Sequence, residues 1–317
     1  MGLLVAGVGC LQYVLERGES DDWFSSRAIV INTIIAVTCL PAFVFWELKV
    51  PNPIINVRLF KERIVAVGVM LMASVGFFLY GAVFLLPIFL GRTYHFTATQ
   101  TGLLFIPGSI LTALMMPVIG KQMTSGRNPK TLIFISLVCL ELCMYVMTTF
   151  SPLSSKGDIL LSLYVRGFAL AFLFVPINSS ILSQFTGANL GQVSGLLNLF
   201  RQLGGSAGVA LVATLLSTRS QQNFVDLTSK VSLLNPTTQF TYYPLAKGLG
   251  QKMTENMGMA TGHEAALRAI GGRIQNQVFM LSFNQLIWTM MIIFSLAFIP
   301  WYFMELKRKV TGPIDSH

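Results

Sequence analysis

Charged residues are scarce in this sequence. Asp, Glu, Lys and Arg make up 11% of the 317 residues, whereas a soluble globular domain has about 25%. Hydrophobic residues make up 53%, and the mean hydropathy is +0.66. These proportions exclude an ordinary soluble domain. The net charge of +9 does not imply a nucleic-acid partner, because Lys and Arg that flank membrane segments account for most of it.

Residues that carry metal or nucleophilic chemistry are also few. The four cysteines all lie in apolar stretches, and the three histidines lie in loops or in the C-terminal tail. We interpret the cysteines as small apolar side chains and expect neither a metal site nor a cofactor. The P-loop, Gly-x-Ser-x-Gly and His-Glu-x-x-His motifs are absent, so the sequence does not indicate an enzyme.

Long apolar runs with no charge or a single charge are abundant. A helix needs about 20 residues to cross the roughly 30 Å of hydrocarbon in a bilayer, and each of these runs reaches or nearly reaches that length. The sequence therefore predicts seven complete transmembrane helices. They lie at Ala28–Trp46, Ile64–Gly91, Thr97–Gly120, Thr131–Pro152, Ile159–Phe185, Leu190–Thr218 and Ile274–Met304.

The first residues, Met1–Leu15, are apolar but too few for a complete span. A signal peptide is a poor interpretation, because no Lys or Arg precedes the apolar run. We interpret the segment as a helix that is cut off at its N-terminal end. The sequence therefore predicts that this chain is the C-terminal part of a longer protein.

The distribution of Lys and Arg predicts the orientation of the chain. If the residues after the last span are cytoplasmic, the short loops on that side carry ten Lys and Arg, and those on the opposite side carry four. The C-terminus is therefore predicted to be cytoplasmic. The segment Arg219–Arg273 then forms a long extracytoplasmic loop, with helical stretches such as His263–Ile270 and the aromatic residues Phe240, Tyr242 and Tyr243.

Three ionisable residues interrupt the apolar runs: Glu141, Arg166 and Arg201. A charge inside a membrane span is costly unless it faces the protein interior, a water-filled cavity or a partner, so these residues are candidates for function. Glu141 and Arg166 lie at similar depths in two antiparallel spans, which predicts an ion pair or a shared hydrogen-bond network. Glu141 is then either a protonation site or one member of a static pair that fixes two helices.

Arg201 lies on a polar or small face of the span Leu190–Thr218, together with Ser194 and Asn198. We interpret Arg201 either as part of a transport cavity or gate, or as a structural contact between helices. Glycines at small-xxx-small spacing on the same helix predict close packing against neighbouring backbones. These are the pairs Gly191/Gly195 and Gly204/Gly208, with Gly205 beside the second pair.

Helix breakers and isolated polar residues also occur inside the spans. Pro87, Pro107 and Pro176 predict kinks, which are typical of transporters that rock about a central site and are also common in other membrane proteins. Three polar residues are further candidates for lining a cavity: Tyr80, Asn178 and Asn284.

Several motifs resemble one family of transporters. Leu15-Glu16-Arg17-Gly18, followed by Asp22-Trp23-Phe24-Ser25-Ser26, is similar to a signature of the fourteen-helix drug:proton antiporters of the major facilitator superfamily, the EmrB/QacA type. Two other motifs are similar to that family: Asn52-Pro53-Ile54-Ile55 before a long span, and Asn198-x-x-Arg201-x-x-Gly204-Gly205-Ser206-x-Gly208. The resemblance covers essentially the whole chain.

The resemblance implies an all-α integral membrane fold. Residues 1–62 would hold one partial and one complete extra central helix. Residues 63–317 would form the C-terminal six-helix half of a major facilitator fold, with the extracytoplasmic loop 219–273. In such antiporters the N-terminal six helices carry the better-defined proton-coupling motifs and half of the substrate cavity. The chain is therefore expected to need that half for transport.

The implied function is part of a proton-coupled multidrug efflux transporter of the bacterial inner membrane that works by alternating access. Its partners would be the lipid bilayer, protons, small amphipathic substrates and the missing N-terminal half. By the same resemblance the outer loop faces a periplasmic adaptor and an outer-membrane channel, although an ordinary solvated loop is the simpler interpretation. Two alternatives stay open: a carrier of the same fold for a specific metabolite, siderophore or lipid, and a non-transporting membrane remnant that acts as a scaffold.

Overall fold

The computed structural model describes residues 2–50, 53, 55–152, 154–230 and 259–304. These residues form nine α-helices and two short 3₁₀ helices, and among them there is no β-strand. The predicted all-α fold is confirmed. The α-helices are, in chain order, α1 (Gly2–Arg17), α2 (Arg27–Lys49), α3 (Arg63–Tyr94), α4 (Ala98–Thr124), α5 (Pro129–Thr148), α6 (Lys156–Leu182), α7 (Ala188–Lys230), α8 (Met259–Ser295) and α9 (Phe298–Tyr302).

Seven of these helices, α2 to α8, are long and apolar enough to cross a membrane. Their spans have 20 to 41 residues and mean hydropathies of 1.4 to 2.3. They coincide with the seven apolar runs of the sequence, so the predicted spans are confirmed. The chain is therefore a multi-pass membrane protein. A shorter apolar helix of 16 residues, α1, precedes the seven spans.

The first two helices form a hairpin that packs on the side of α7. Gly7 of α1 lies against Leu40 of α2, and a Cβ added to this glycine would come within 2.9 Å of the leucine side chain. The close approach explains why a glycine occurs inside an apolar helix at this point. At the end of α1, Glu16 accepts a hydrogen bond from Ser206 Oγ at 3.1 Å, which joins the hairpin to α7.

The helices from α3 onward form one bundle around α3. Helix α3 packs against α7, α6 packs against both α4 and α5, and α8 packs against α7 and α5. Aromatic rings meet across these helices in a continuous apolar core. The ring centroids of Phe89 and Phe283 are 4.6 Å apart, and those of Phe78 and Phe294 are 5.0 Å apart. Such ring pairs contribute about 0.5–1.5 kcal/mol each beyond the apolar area that they bury.

Capping residues define where two of the spans begin. Thr97 accepts a hydrogen bond from the backbone N–H of Gln100, whose side chain accepts one from the Thr97 N–H. Ser155 and Asp158 make the same reciprocal arrangement at the start of α6. Each capping box satisfies two backbone donors that would otherwise lack partners at a helix N-terminus. The antiparallel connections before α4 and α6 are thereby fixed by local sequence.

The prolines lie inside continuous helices. Pro87 is in α3, Pro107 in α4 and Pro176 in α6, and each helix extends on both sides of its proline. The kinks at these residues remain predictions.

Helices account for much of the segment that the sequence presents as the outer loop 219–273. Helix α7 continues to Lys230 and α8 begins at Met259, so both enter the segment. The helical stretch predicted at His263–Ile270 lies within α8, and the extracytoplasmic position of the segment stays a prediction. Helical hydrogen bonding does not require apolar side chains, so both helices extend beyond their apolar runs. Phe240, Tyr242 and Tyr243 lie outside the described residues.

Candidate transport cavity

A cavity of about 500 Å³ lies among four helices of the bundle. It is lined by Met72 of α3, Met116 of α4, four residues of α6 and two residues of α7. The α6 residues are Phe174, Val175, Asn178 and Ser179, and the α7 residues are Asn198 and Arg201. Three candidates from the sequence, Asn178, Asn198 and Arg201, therefore lie together in one place.

Arg201 is the one charged residue among the described residues that line this cavity. Its Nη2 donates a hydrogen bond to Asn198 Oδ1 at 3.4 Å, and its guanidinium carbon lies 5.8 Å from the centroid of the Phe174 ring. Asn198 in turn donates to the Ser194 carbonyl at 3.1 Å. The three-residue spacing of Asn198 and Arg201 puts both side chains on one face of α7. The Asn198 amide and the Phe174 ring orient the guanidinium. Among the described residues no carboxylate pairs with it.

Glycines hold this part of α7 directly against α3. A Cβ on Gly204 would collide with the carbonyl oxygen of Ala73, and one on Gly208 would come within 3.0 Å of the Phe77 Cα. Gly205 lies under the ring of Tyr80, and a Cβ added to this glycine would be 2.6 Å from a ring carbon. The two backbones are therefore in contact just beyond Arg201. Packing by Gly204, Gly205 and Gly208 agrees with the prediction from the sequence.

One glycine that positions Arg201 was not found by sequence reasoning. Gly76 of α3 lies against the backbone of Arg201 itself, where an added Cβ would collide with the Arg201 carbonyl oxygen. A lone glycine within an apolar run gives no periodic signal, because its partner is on another helix. The methionines and Phe174 of the cavity were missed for a similar reason, since Met and Phe in membrane helices more often face lipid or the core.

The glycine pair at the start of α7 behaves differently. No atom lies within 4 Å of a Cβ placed on Gly191 or Gly195. Among the described residues no helix packs against this pair, so close packing there stays a prediction. Small-xxx-small spacing identifies a face that can approach another backbone, but it does not say whether a helix is present there.

The other polar candidates differ in their position relative to the cavity. Asn178 lines the cavity and donates to the Phe174 carbonyl at 2.9 Å. Tyr80 lies at the α3–α7 contact, and its hydroxyl donates to Gln202 Oε1 at 3.3 Å. It is adjacent to the polar face of α7 but does not line the cavity. Asn284 of α8 is exposed and likewise does not line it.

The predicted contact between Glu141 and Arg166 is wrong. Among the described residues Glu141 has a different partner, because Ser295 Oγ of α8 donates to Glu141 Oε1 at 2.8 Å. On α5 it is Ser136 and Cys143 that face α6: Ser136 Oγ donates to the Ala169 carbonyl at 2.6 Å. Glu141 is two residues from Cys143, which is about 200° around a helix. The Glu141 carboxylate therefore faces Ser295 of α8 and not Arg166 of α6.

Arg166 is buried, with 9% of its surface exposed. Its guanidinium carbon lies 4.9 Å from the centroid of the Phe105 ring of α4. Helices α4 and α6 touch beside it, because Thr112 Oγ1 donates to the Gly167 carbonyl at 2.8 Å and Gly167 lies against the Gly108 backbone. Neither Arg166 nor Glu141 lines the cavity that contains Arg201.

The cavity has the chemistry of a site for amphipathic molecules. Methionine and phenylalanine side chains supply an adaptable apolar wall, and the amides of Asn178 and Asn198 supply hydrogen bonds. Arg201 adds a single positive charge. The residues can bind and orient a molecule that is partly apolar, and they include no nucleophile–base pair of the kind that covalent catalysis requires.

Comparison with known proteins defines the class. The sequence model of the Major Facilitator Superfamily matches residues 3–209, which is more than half of the chain, and the chain belongs to this superfamily. The family predicted from the sequence motifs is confirmed.

Individual relatives are multidrug and fatty-acid resistance proteins by name. Multidrug export protein EmrB of Escherichia coli (strain K12) is 32% identical over 289 residues, which cover 91% of this chain and 54% of that protein. Probable multidrug resistance protein EmrY of the same strain is 31% identical over 285 residues, covering 90% and 53%. Fatty acid resistance protein FarB of Neisseria gonorrhoeae is 30% identical over 285 residues, covering 90% and 54%. The chain thus spans about half the length of the curated relatives that it matches.

Proposed function

We propose that the chain is the C-terminal part of a proton-coupled multidrug efflux transporter that works by alternating access together with an N-terminal six-helix half. The observation that carries the proposal is the cavity around Arg201, which four helices line with apolar and amide side chains. Similarity to multidrug export proteins over 91% of the chain supports the same conclusion.

The second half would close the open side of this cavity. Only 11% of the most apolar window of α4 is buried, compared with 61% for α6, although both helices contribute to the cavity. An exposed helix that lines a binding site is well placed to meet a second bundle. In the proposed layout, residues 1–62 hold the two extra central helices and residues 63–317 hold the C-terminal half.

The proposed membrane is the bacterial inner membrane, with the C-terminus in the cytoplasm. The excess of Lys and Arg in alternate short loops supports this orientation. The extended ends of α7 and α8 then lie on the outer side. Asn223, in the extension of α7, donates to Ser282 Oγ in the span of α8 at 2.9 Å. These helix ends offer a surface to a periplasmic adaptor and its outer-membrane channel.

Proton coupling is assigned mainly to the N-terminal half. In the described spans of this chain, Glu141 faces α8 and lies away from the cavity. Glu16 contacts α7 through Ser206, which is five residues beyond Arg201. A change in protonation elsewhere would act on this half by changing how α7 and Arg201 pack, which biases one arrangement of the two halves over the other.

A second candidate is a carrier of the same fold that moves lipophilic acids such as fatty acids. Arg201 favours it, because it is the one charge that the described residues contribute to the cavity lining, and a carboxylate would pair with it. The fatty acid resistance named for FarB is consistent with this substrate class.

The test is efflux in a bacterial strain that lacks its own multidrug pumps. Four proteins are compared: the chain alone, the chain joined to an N-terminal half from its own locus, and the joined protein with Arg201→Ala or with Arg92→Ala. Arg92 lies at the outer end of α3, against the Phe279 ring, and serves as the matched control. The joined protein and its Arg92→Ala variant are expected to export cationic dyes or lipophilic acids. The Arg201→Ala variant is expected to fail at equal expression.

The outcomes separate the parts of the proposal. Export by the chain alone would contradict the need for an N-terminal half. Full export by the Arg201→Ala variant would contradict the assignment of the cavity. Export of lipophilic acids without export of cationic dyes would favour the acid carrier over the multidrug transporter.

A further inference from the structure

Three membrane spans meet at one edge of the bundle, where α9 packs against both α3 and α5. The span of α3 begins at Arg63, the span of α5 begins one residue before Lys130, and the span that contains α8 and α9 ends at Tyr302. The first turns of α3 and α5 contain no acidic residue, and Glu62, which precedes α3, makes no side-chain capping bond. A helix N-terminus carries partial positive charge and is stabilised by anions rather than by cations. Two helix N-termini and two basic residues therefore make this edge of the membrane electropositive.

Contacts with α9 hold Lys130 in a fixed position. Its Nζ donates to the Tyr302 carbonyl at 2.8 Å, and its own carbonyl accepts a hydrogen bond from the Trp301 indole N–H at 2.9 Å. The ammonium lies 5.3 Å from the centroid of the Trp301 ring. Because an ammonium has three donors, two of them stay available after the bond to Tyr302. Among the described residues no carboxylate pairs with Lys130.

Arg63 lies on the other side of the same short surface. Its guanidinium carbon is 5.8 Å from the centroid of the Phe303 ring, and Lys130 Nζ is 5.8 Å from the centroid of the Tyr302 ring. These two rings are neighbours, with centroids 5.6 Å apart, and both are exposed. Exposed aromatic rings beside cations are typical of the boundary between membrane and water. We call the surface formed by Arg63, Lys130, Tyr302 and Phe303 the α9 rim.

An apolar surface continues from the α9 rim into the membrane-spanning region. Phe134 of α5 lies against Trp301, with ring centroids 4.8 Å apart, and it is partly exposed. Ile299 and Leu296, which precede Tyr302 in the same span, are also exposed. An acyl chain that lies along these side chains would begin beside Lys130. A free phosphate ion has no use for such a surface, so the ligand that fits carries both an anionic group and a hydrocarbon chain.

We propose that the α9 rim binds the headgroup of an anionic phospholipid. The lipid phosphate accepts hydrogen bonds from Lys130 Nζ and from the Tyr302 hydroxyl, and Arg63 supplies a second positive charge. The acyl chain lies along Phe134 and Ile299. Basic sites between helices at the membrane surface suit anionic headgroups, whereas a zwitterionic headgroup brings its own cation and gains less from them. The site concerns binding alone, and it depends neither on transport nor on which side of the membrane is cytoplasmic.

The test measures which lipid lies next to Trp301 in the full chain, which has four tryptophans. One reporter protein carries Trp23→Phe, Trp46→Phe and Trp288→Phe, so that Trp301 remains. A matched reporter carries Trp301→Phe instead of Trp288→Phe and keeps Trp288, which is 13 residues earlier and roughly 20 Å away along the helix axis. Each is placed in phosphatidylcholine nanodiscs that contain increasing amounts of brominated phosphatidylglycerol or brominated phosphatidylcholine. Bromine on the acyl chain near the headgroup quenches the fluorescence of an adjacent tryptophan.

Phosphatidylglycerol is expected to be preferred over phosphatidylcholine roughly 5- to 30-fold next to Trp301, as one or two cations at a membrane surface allow. The preference next to Trp288 is expected to be less than about 2-fold, because the α9 rim is out of reach. Sodium phosphate is expected to weaken the preference at Trp301 no more than sodium chloride of equal ionic strength does. A selective loss in phosphate would assign the site to a free anion and overturn the lipid assignment.

Variants of the Trp301 reporter complete the test. Lys130→Gln and Arg63→Gln should each lower the preference roughly 5-fold, and Lys130→Arg should keep most of it. Lys121→Gln is the matched control, because Lys121 is an exposed basic residue in the last turn of α4 and lies outside the α9 rim. Since Arg63 is exposed, its variant tests the site even if Lys130→Gln fails to fold.

Three results would overturn the proposal. The first is a preference for phosphatidylglycerol that is equal at Trp301 and Trp288. The second is a preference at Trp301 that Lys130→Gln or Arg63→Gln leaves unchanged. The third is an equal loss in Lys121→Gln, since any basic residue at this edge of the membrane would then have the same effect.

Discussion

The contact between α3 and α7 can be tested with two glycines on the same helix. Gly204 lies against the Ala73 backbone, whereas no atom lies within 4 Å of a Cβ placed on Gly195. We compare Gly204→Ala with Gly195→Ala. Each substitution adds one methyl group to α7 and improves its helix propensity by about 1 kcal/mol. The difference between the two variants therefore isolates the effect of the helix contact.

The size of that effect follows from the geometry. A Cβ on Gly204 would lie 2.7 Å from the Ala73 carbonyl carbon and 2.8 Å from its Cα. These atoms belong to the backbone and cannot rotate away, so the helices must separate by roughly 1 Å to restore contact distances near 3.5–4.0 Å. Overpacking of this kind costs about 1–3 kcal/mol. Gly204→Ala should therefore be about 1–3 kcal/mol less stable than Gly195→Ala.

The assay is unfolding of the purified chain in mixed micelles, followed by circular dichroism as the fraction of denaturing detergent rises. Gly195→Ala is expected to unfold at the same detergent fraction as the unmodified chain or at a higher one. Gly204→Ala is expected to unfold at a lower one. Equal stability of the two variants, or a greater loss in Gly195→Ala, would refute the argument that α3 and α7 meet through Gly204.

Two further predictions concern polar contacts inside the spans. In double-mutant cycles, the effects of substituting Glu141 and Arg166 on the free energy of unfolding should add within about 0.5 kcal/mol. Substitutions of Glu141 and Ser295 should instead couple by about 1 kcal/mol, because these side chains share a 2.8 Å hydrogen bond. Coupling of the first pair and not the second would contradict the observed geometry. Thr112→Val removes the hydroxyl that donates to the Gly167 carbonyl at 2.8 Å and should lower the free energy of unfolding by about 0.5–1.5 kcal/mol. Thr112→Ser keeps a hydroxyl at this position and should retain most of the stability of the unmodified chain.

The membrane spans were predictable because they depend on a local property. About 20 apolar residues are required to cross the bilayer wherever the helix lies in the bundle, and α2 to α8 satisfy that requirement in sequence alone. The polar face of α7 was predictable for a similar reason, since Asn198 and Arg201 are neighbours on one helix and need no partner to define the face.

Contacts between helices were less predictable. The depth of Glu141 follows from its position in a span, but the direction in which it points depends on how α5 is rotated against α6 and α8. That rotation is determined by contacts such as Phe134 with Trp301, whose ring centroids are 4.8 Å apart. Phe134 is two turns before Glu141 on the same face of α5, and this face meets Trp301 of α9 and Ser295 of α8.

The two glycine pairs of α7 show the same limit. Gly191/Gly195 and Gly204/Gly208 have identical spacing, yet only the second pair touches α3. Small-xxx-small spacing indicates that another backbone can approach closely without a steric clash. Whether it does so depends on the position of the neighbouring helix. Gly76 illustrates the converse, because it contacts the Arg201 backbone without any partner glycine to mark it in sequence.

The most direct test of the proposed function is transport by the joined protein in proteoliposomes with an imposed pH gradient. Uptake of a substrate into acidic vesicles is measured for the unmodified protein, Arg201→Gln and the matched control Arg92→Gln. We expect uptake that disappears when a protonophore collapses the gradient. Arg201→Gln is expected to lower the rate of uptake roughly 10- to 100-fold, and Arg92→Gln is expected to leave it nearly unchanged. Uptake that does not depend on the gradient, or an unchanged rate in Arg201→Gln, would contradict the proposed function.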